Sequence, residues 1–167
     1  AGNIELPTDA TTVFEHGGES IGLYRTEFLY IGESRDPDEE QHLQAYTEIC
    51  KVAGDRVVTI RTLDLGADKM FIPGRKPNPE PNPVLGLRGI RYCLAHPEVF
   101  KRQLCGILRA GLNGNLRILL PMISDVSEII ATRKILKEIE DDEYYSLIKE
   151  FIKDYKNHRE KNVHKIL

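Results

Sequence analysis

The sequence has no apolar run that approaches the length needed to cross a bilayer, and no basic segment followed by an apolar one at its start. Membrane insertion and secretion are therefore not expected, which leaves a cytoplasmic protein as the expectation. A charge excess is also lacking: 23 Lys and Arg stand against 26 Asp and Glu, a formal balance of -3. That gives no global pull toward nucleic acid or an anionic membrane surface, so any anion site has to be local. Cysteine is scarce. Cys50, Cys93 and Cys105 are odd in number, lack metal-ligand spacing and fall among apolar or helical neighbours, so they read as buried thiols. A length of 167 residues suits one domain with a substantial core.

What the chain does have is an alternation of short apolar strands with helical patterns. Gly2-Asn3-Ile4-Glu5-Leu6 reads as a strand, and Thr8-Asp9 and Gly17-Gly18 bracket a helix. Ile21 to Leu29 is a second strand. Asp36-Pro37-Asp38-Glu39 combines a capping acid, proline at the first helical position and a glutamate three residues past the cap, so a helix is expected from there to Gly54. Leu43, Tyr46, Cys50 and Ala53 form its apolar face. Val57 to Asp64 is the third strand, and five prolines between Pro73 and Pro83 then predict a long irregular loop. A helical stretch begins near Leu85, and Pro97 opens another that carries Phe100, Leu104, Ile107 and Leu108 on one face. The continuous apolar run Leu116 to Ile123 predicts a strand covered on both faces, and Asp125-Val126-Ser127-Glu128 starts the next helix. From Arg133 onward 17 of 35 residues are charged, against 32 of the first 132, and Tyr145, Ile148, Ile152 and Tyr155 keep helical spacing. The acids interleaved with its bases favour a solvated helix face over a nucleic-acid patch.

This order argues for an α/β fold with a parallel sheet and right-handed crossovers. Four β/α units make half of an eight-stranded barrel or one open sheet, and periodicity does not choose between them. In either architecture sites gather at the carboxyl ends of strands. There the second and third strands each end in Arg-Thr followed closely by an acid: Arg25-Thr26-Glu27 and Arg61-Thr62-Leu63-Asp64. The side chains alternating with these arginines are Ile21 and Leu23 in one strand and Val57 and Thr59 in the other. A guanidinium fork matches phosphate or carboxylate bidentately, so two of them at one mouth suggest an anion site. The plainer alternative pairs each arginine with its own neighbour, Glu27 or Asp64.

Four segments resemble enzyme I of the phosphoenolpyruvate-dependent sugar phosphotransferase system, in order and at compatible spacing. They are Gly22-Leu23-Tyr24-Arg25-Thr26-Glu27-Phe28-Leu29, Ile60-Arg61-Thr62-Leu63-Asp64-Leu65-Gly66-Ala67-Asp68-Lys69, Asn82 to Arg91, and Leu120-Pro121-Met122-Ile123. The resemblance implies the first half of a (β/α)8 TIM-type barrel over residues 1–137, followed by a divergent charged helical tail over 138–167. It also implies phosphoenolpyruvate as ligand, with Arg25, Arg61, Arg88 and Lys69 as substrate-binding residues. In that family the phosphoryl group passes to a histidine on a separate domain and then to the carrier protein HPr. Ala67 departs from the pattern, where a second glycine is usual.

The family's Mg²⁺ ligands lie in segments resembling Glu-Thr-Pro and Gly-Thr-Asn-Asp, and its acid cysteine in Gly-Met-Cys-Gly-Glu; none of these occurs here. His16, His42, His96, His158 and His164 lack the context of the phospho-accepting histidine and read as ordinary helix or surface residues. No catalytic residue is therefore assigned. The expectation is a phosphoenolpyruvate-binding fragment that is inactive alone. A non-catalytic anion-binding or self-associating module is one alternative, and part of an enzyme like pyruvate phosphate dikinase or phosphoenolpyruvate synthase is another. Because half a barrel leaves two sheet edges and an apolar interior face (Ile21, Leu23, Val57, Ile118, Leu120) uncovered, self-association is expected.

Overall fold

In the computed structural model, the described residues are 1–31, 35–65 and 86–142, together with Ser146 and Glu150. Strands and helices alternate among them: β1 (Gly2–Ile4), α1 (Asp9–Glu15), β2 (Ile21–Arg25), α2 (Glu39–Ala53), β3 (Val58–Arg61), α3 (Ile90–Ala95), α4 (Pro97–Gly111), β4 (Leu116–Leu119) and α5 (Val126–Glu140). A single 3-10 turn, Glu27–Leu29, follows β2. Tyr145, Ile148, Ile152 and Tyr155 of the amphipathic tail pattern, and the proline-rich loop, lie outside the described residues. No helix of the described residues is long and apolar enough to cross a membrane.

The strands are parallel and lie in chain order, β1-β2-β3-β4. Parallel strands placed in order by right-handed crossovers send their helices to one face of the sheet. That face carries Ile4, Tyr24, Ile60 and Ile118, register partners across the four strands. Ala45, Tyr46, Ile49 and Ala53 of α2 and Ile107 and Ala110 of α4 pack on it. Gly106 brings the two helices together, since a Cβ at that position would sit 2.6 Å from His42 Cβ. A second cluster, built from Leu63, Ile90, Cys93, Phe100, Leu104 and Ile139, fills the space between the strand ends and α3, α4 and α5.

Several expectations change. The opposite sheet face carries Leu23, Arg25, Thr59, Arg61, Arg117 and Leu119, so it is mixed rather than apolar. Ile21 is fully buried with Tyr24, because the pairing register shifts between them and turns both toward the helices. Ile118 and Leu120 also pack against the core clusters. The final strand stops at Leu119, with Leu116 and Ile118 half-buried and Arg117 and Leu119 exposed. It is covered on one face, and the arginine at an alternate position was the signal.

At the start of α2 the cap is Asp38 rather than Asp36. Asp38 Oδ1 accepts from Gln41 N–H at 2.9 Å, and Gln41 Oε1 accepts from Asp38 N–H at 3.0 Å. Two local caps compete here, and α4 decides between them: Arg102 Nε donates to the Pro37 carbonyl at 3.3 Å and its Nη2 lies 3.8 Å from Asp36 Oδ2. The expected capping box of α5 is present, with Ser127 N–H donating to Asp125 and Asp125 N–H to Glu128. Of the three free cysteines, Cys50 and Cys93 are buried and Cys105 is half-buried. Burial pushes the Cys50 and Cys105 thiols up to about 11 and Cys93 to about 12.

His42 is not an ordinary surface residue. Fully buried on α2, it is held between two tyrosines, with Nδ1 3.0 Å from the Tyr46 hydroxyl and Nε2 3.2 Å from that of Tyr30. Burial, reinforced by the nearby Arg102 charge, lowers its pKa from 6.5 to about 4. The folded state therefore keeps His42 neutral, while the unfolded chain takes up a proton below the ordinary value. Stability is full above pH 6.5 and is lost as pH falls toward 4. The loss attributable to this residue is on the order of 3 kcal/mol. Urea unfolding from pH 7 downward should show that slope, and a His42→Gln variant should show a shallower one once carboxylate titration common to both is subtracted.

Candidate functional site

Arg25 and Arg61 are the last residues of β2 and β3, and they are direct register partners. Parallel pairing thus sets the two guanidinium groups side by side at the carboxyl end of the sheet. Arg88 reaches the same place from the turn before α3. Gly89, in the left-handed region at φ 56°, makes that turn, and its N-terminal neighbour is Arg88. The three arginines line one cavity of about 290 Å³ with Glu5, Glu27, Phe28, Ile31 and Asp64. Lys69 lies outside the described residues.

The ion pairs cross between elements more than the local spacing suggests. Arg25 does not bond Glu27; its Nη1 donates to Glu5 Oε1 at 2.7 Å, just beyond β1. Arg61 Nη2 donates to Glu27 at 2.8 Å, and its Nη1 lies 3.4 Å from Asp64 Oδ2. Arg88 Nε donates to Asp64 Oδ1 at 3.1 Å and its Nη2 to the Asp64 carbonyl at 3.1 Å. Glu27 also accepts from Asp64 N–H at 3.1 Å. The chain Glu27–Arg61–Asp64–Arg88 is therefore one alternating network, shielded from water and anchored to backbone. By contrast the Arg25–Glu5 pair is 43% and 62% exposed. Some buried polar atoms have no hydrogen-bond partner: the donors Arg25 Nε and Arg61 Nε and the acceptor Glu27 Oε2.

What holds this end of the sheet in place is Gln103, which sequence reasoning missed. Fully buried on α4, it accepts from Leu63 N–H through Oε1 at 2.9 Å. Its Nε2 donates to Thr26 Oγ1 at 3.1 Å and to the Tyr46 hydroxyl at 3.2 Å. Thr26 in turn donates to the Arg61 carbonyl at 3.0 Å. One amide thus ties Thr26, next to Arg25, to Leu63, two residues past Arg61. Both ring nitrogens of the neutral His42 thus meet tyrosine hydroxyls, Tyr46 at Nδ1 and Tyr30 at Nε2, so the ring donates to one and accepts from the other. The signal that could have found Gln103 is its position between Phe100 and Ile107 on the apolar stripe of α4, where a polar side chain needs a partner. Glu5 carried no comparable signal, since its partner is twenty residues away.

Mg²⁺ does not fit the described residues. Glu27 and Asp64 are the shielded carboxylates of the cavity, and both are committed to arginines. Among the described residues no group of three or more His, Cys, Asp or Glu side chains is arranged to hold a metal ion. Among the described residues no cysteine or histidine lines the cavity either.

A parallel sheet with three arginines clustered at its strand ends defines an α/β protein. The chain belongs to the family described as PEP-utilising enzyme, PEP-binding domain, which it matches over residues 1–156. Its curated relatives are phosphoenolpyruvate-protein phosphotransferases. It is 44% identical to that of Staphylococcus aureus over 138 residues, 83% of this chain and 24% of the relative. The Listeria monocytogenes protein is 46% identical over 136 residues, 81% of this chain and 24% of the relative. That of Bacillus subtilis is 45% identical over 138 residues, again 83% and 24%. The chain thus spans about a quarter of the length of the relatives it matches.

Replacing Gln103 by Leu keeps the volume but leaves the buried Leu63 N–H and Thr26 hydroxyl without their partner. A loss of about 1–3 kcal/mol is expected, read as a lower urea midpoint with an unchanged denaturant slope.

Proposed function

We propose that this chain is a phosphoenolpyruvate-binding segment of a phosphoenolpyruvate-protein phosphotransferase, with the ligand held in the cavity at the strand ends by Arg25, Arg61 and Arg88. The observation that carries the reading is the register pairing of Arg25 with Arg61 beside Arg88 around one cavity. Phosphoenolpyruvate presents a phosphate and a carboxylate, each with a pair of anionic oxygens that suits a guanidinium fork. Lys69 belongs to the same proposal through the resemblance alone. Family membership favours this reading over an unrelated anion module, and the named relatives favour it over a dikinase or synthase. The in-order parallel strands with helices on one face suit a half-barrel of the (β/α)8 type better than a doubly wound sheet, in which the strand order reverses.

Titration calorimetry with phosphoenolpyruvate tests the site. Arg25→Ala and Arg61→Ala should each weaken binding by about 1.5–3 kcal/mol. Affinity unchanged in both variants would remove the proposal.

Binding without turnover is the second part of the reading. Phosphoryl transfer depends on positioning and on neutralising charge over the equatorial oxygens, and for the latter the described cavity supplies three arginines, each already paired with a carboxylate. Transfer to histidine, and onward to HPr, would need groups outside this chain. Incubation with labelled phosphoenolpyruvate and Mg²⁺ should leave no stable label on the chain. Label on any histidine would contradict this.

Self-association accompanies the proposal. Among the described residues β1 and β4 each have one unpaired edge, and Val126, Ile129 and Ile130 of α5 are exposed. Light scattering over a dilution series should show mass falling with concentration, and a constant monomer mass would rule it out.

A further inference from the structure

We infer that Glu5 is a releasable counterion for Arg25, a specificity-setting residue that competes with the anionic ligand for that guanidinium. The inference rests on the cavity being the phosphoenolpyruvate site. Three arginines and three carboxylates line the cavity among the described residues, so its charged side chains carry no net charge. An anion can gain from such a wall only if a carboxylate withdraws. Glu27 and Asp64 are poorly placed to do so: their side chains are 12% and 10% exposed, and Glu27 also holds the Asp64 backbone. Glu5 differs in each respect. Its side chain is 62% exposed, and its carboxylate has one described partner, Arg25 Nη1.

Geometry makes this contact a consequence of the fold. Ile4 pairs with Tyr24, so the residue after Ile4 falls beside Arg25 as the strands end. Asp9 fixes the backbone there, accepting from Glu5 N–H at 3.2 Å and Leu6 N–H at 2.9 Å. The Glu5 backbone is thus held while its side chain is free to swing toward solvent. Bound, Glu5 cancels one of the charges that would attract the anion and occupies a donor it needs; swung out, it leaves the cavity with a net positive charge. With Glu5 withdrawn, Arg25 Nη1 is released as a donor for the anion. An exposed pair of this kind is weak enough for a ligand to displace.

The test is titration of the full chain with phosphoenolpyruvate, and separately with inorganic phosphate, in wild type, Glu5→Gln, Arg25→Ala and the double variant. Glu5→Gln should tighten phosphoenolpyruvate binding about three- to tenfold at low salt, and the gain should shrink at high ionic strength. In the Arg25→Ala background the same substitution should have at most a small residual effect. A structural role for Glu5 would instead lower the unfolding midpoint without this coupling to Arg25 or salt. Binding in wild type that Glu5→Gln leaves unchanged or weakens overturns the inference and leaves the site assignment standing. Absence of phosphoenolpyruvate binding in both wild type and Glu5→Gln overturns the two together.

Discussion

Strand ends drift unless something outside the sheet holds them, because backbone pairing stops where the strands do. Here β2 and β3 are held beyond their last paired residues by the amide of Gln103, which meets Leu63 on one side and Thr26 on the other. Each of these neighbours an arginine segment of the cavity, so the spacing of Arg25 and Arg61 depends on a side chain from α4. The same amide passes into Tyr46, His42 and Tyr30, buried polar groups that would be costly if any partner were missing. A network of this type specifies one arrangement of α2 and α4 against the sheet. The close approach at Gly106 supplies the room for it.

On that rigid base the cavity is electrostatically self-satisfied. The shielded chain Glu27–Arg61–Asp64–Arg88 positions guanidinium groups at the strand ends without leaving like charges facing one another. Partial burial makes each member dependent on the others, since a lone shielded charge costs several times what the pair contributes. At the proposed site an incoming anion would exchange partners with a carboxylate rather than fill a bare positive hole. The exposed Arg25–Glu5 pair is where exchange meets the least resistance.

Much of this was legible in one dimension. Period-two and helical spacing located the strands and helices to within a few residues, and the repeated Arg-Thr-acid layout placed Arg25 and Arg61 at equivalent positions, which pairing across β2 and β3 bears out. The competing idea that each arginine bonds its own acid held in part: Arg61 does lie against Asp64, but Glu27 crosses to Arg61 and Arg25 turns to Glu5. Acids one strand over are as near as acids two residues on, and nothing in the linear order distinguishes them. The face of Ile21 was misjudged for a related reason. Alternation assumes an unbroken ladder, and a register shift between Ile21 and Tyr24 turns both to the same side.

Local chemistry in the sequence determined the helix caps of α5, the proline start of α4, the alternation of strands with helices and the Arg-Thr-acid layout at two strand ends, because each depends on neighbours a few positions apart. The tertiary structure alone decided which carboxylate answers which arginine, which of two caps opens α2, that His42 is buried and neutral, and that Gln103 holds the site. Those are contacts across 12 to 77 residues of chain. Such contacts arise from strand register and helix approach, which exist only after the chain has closed on itself.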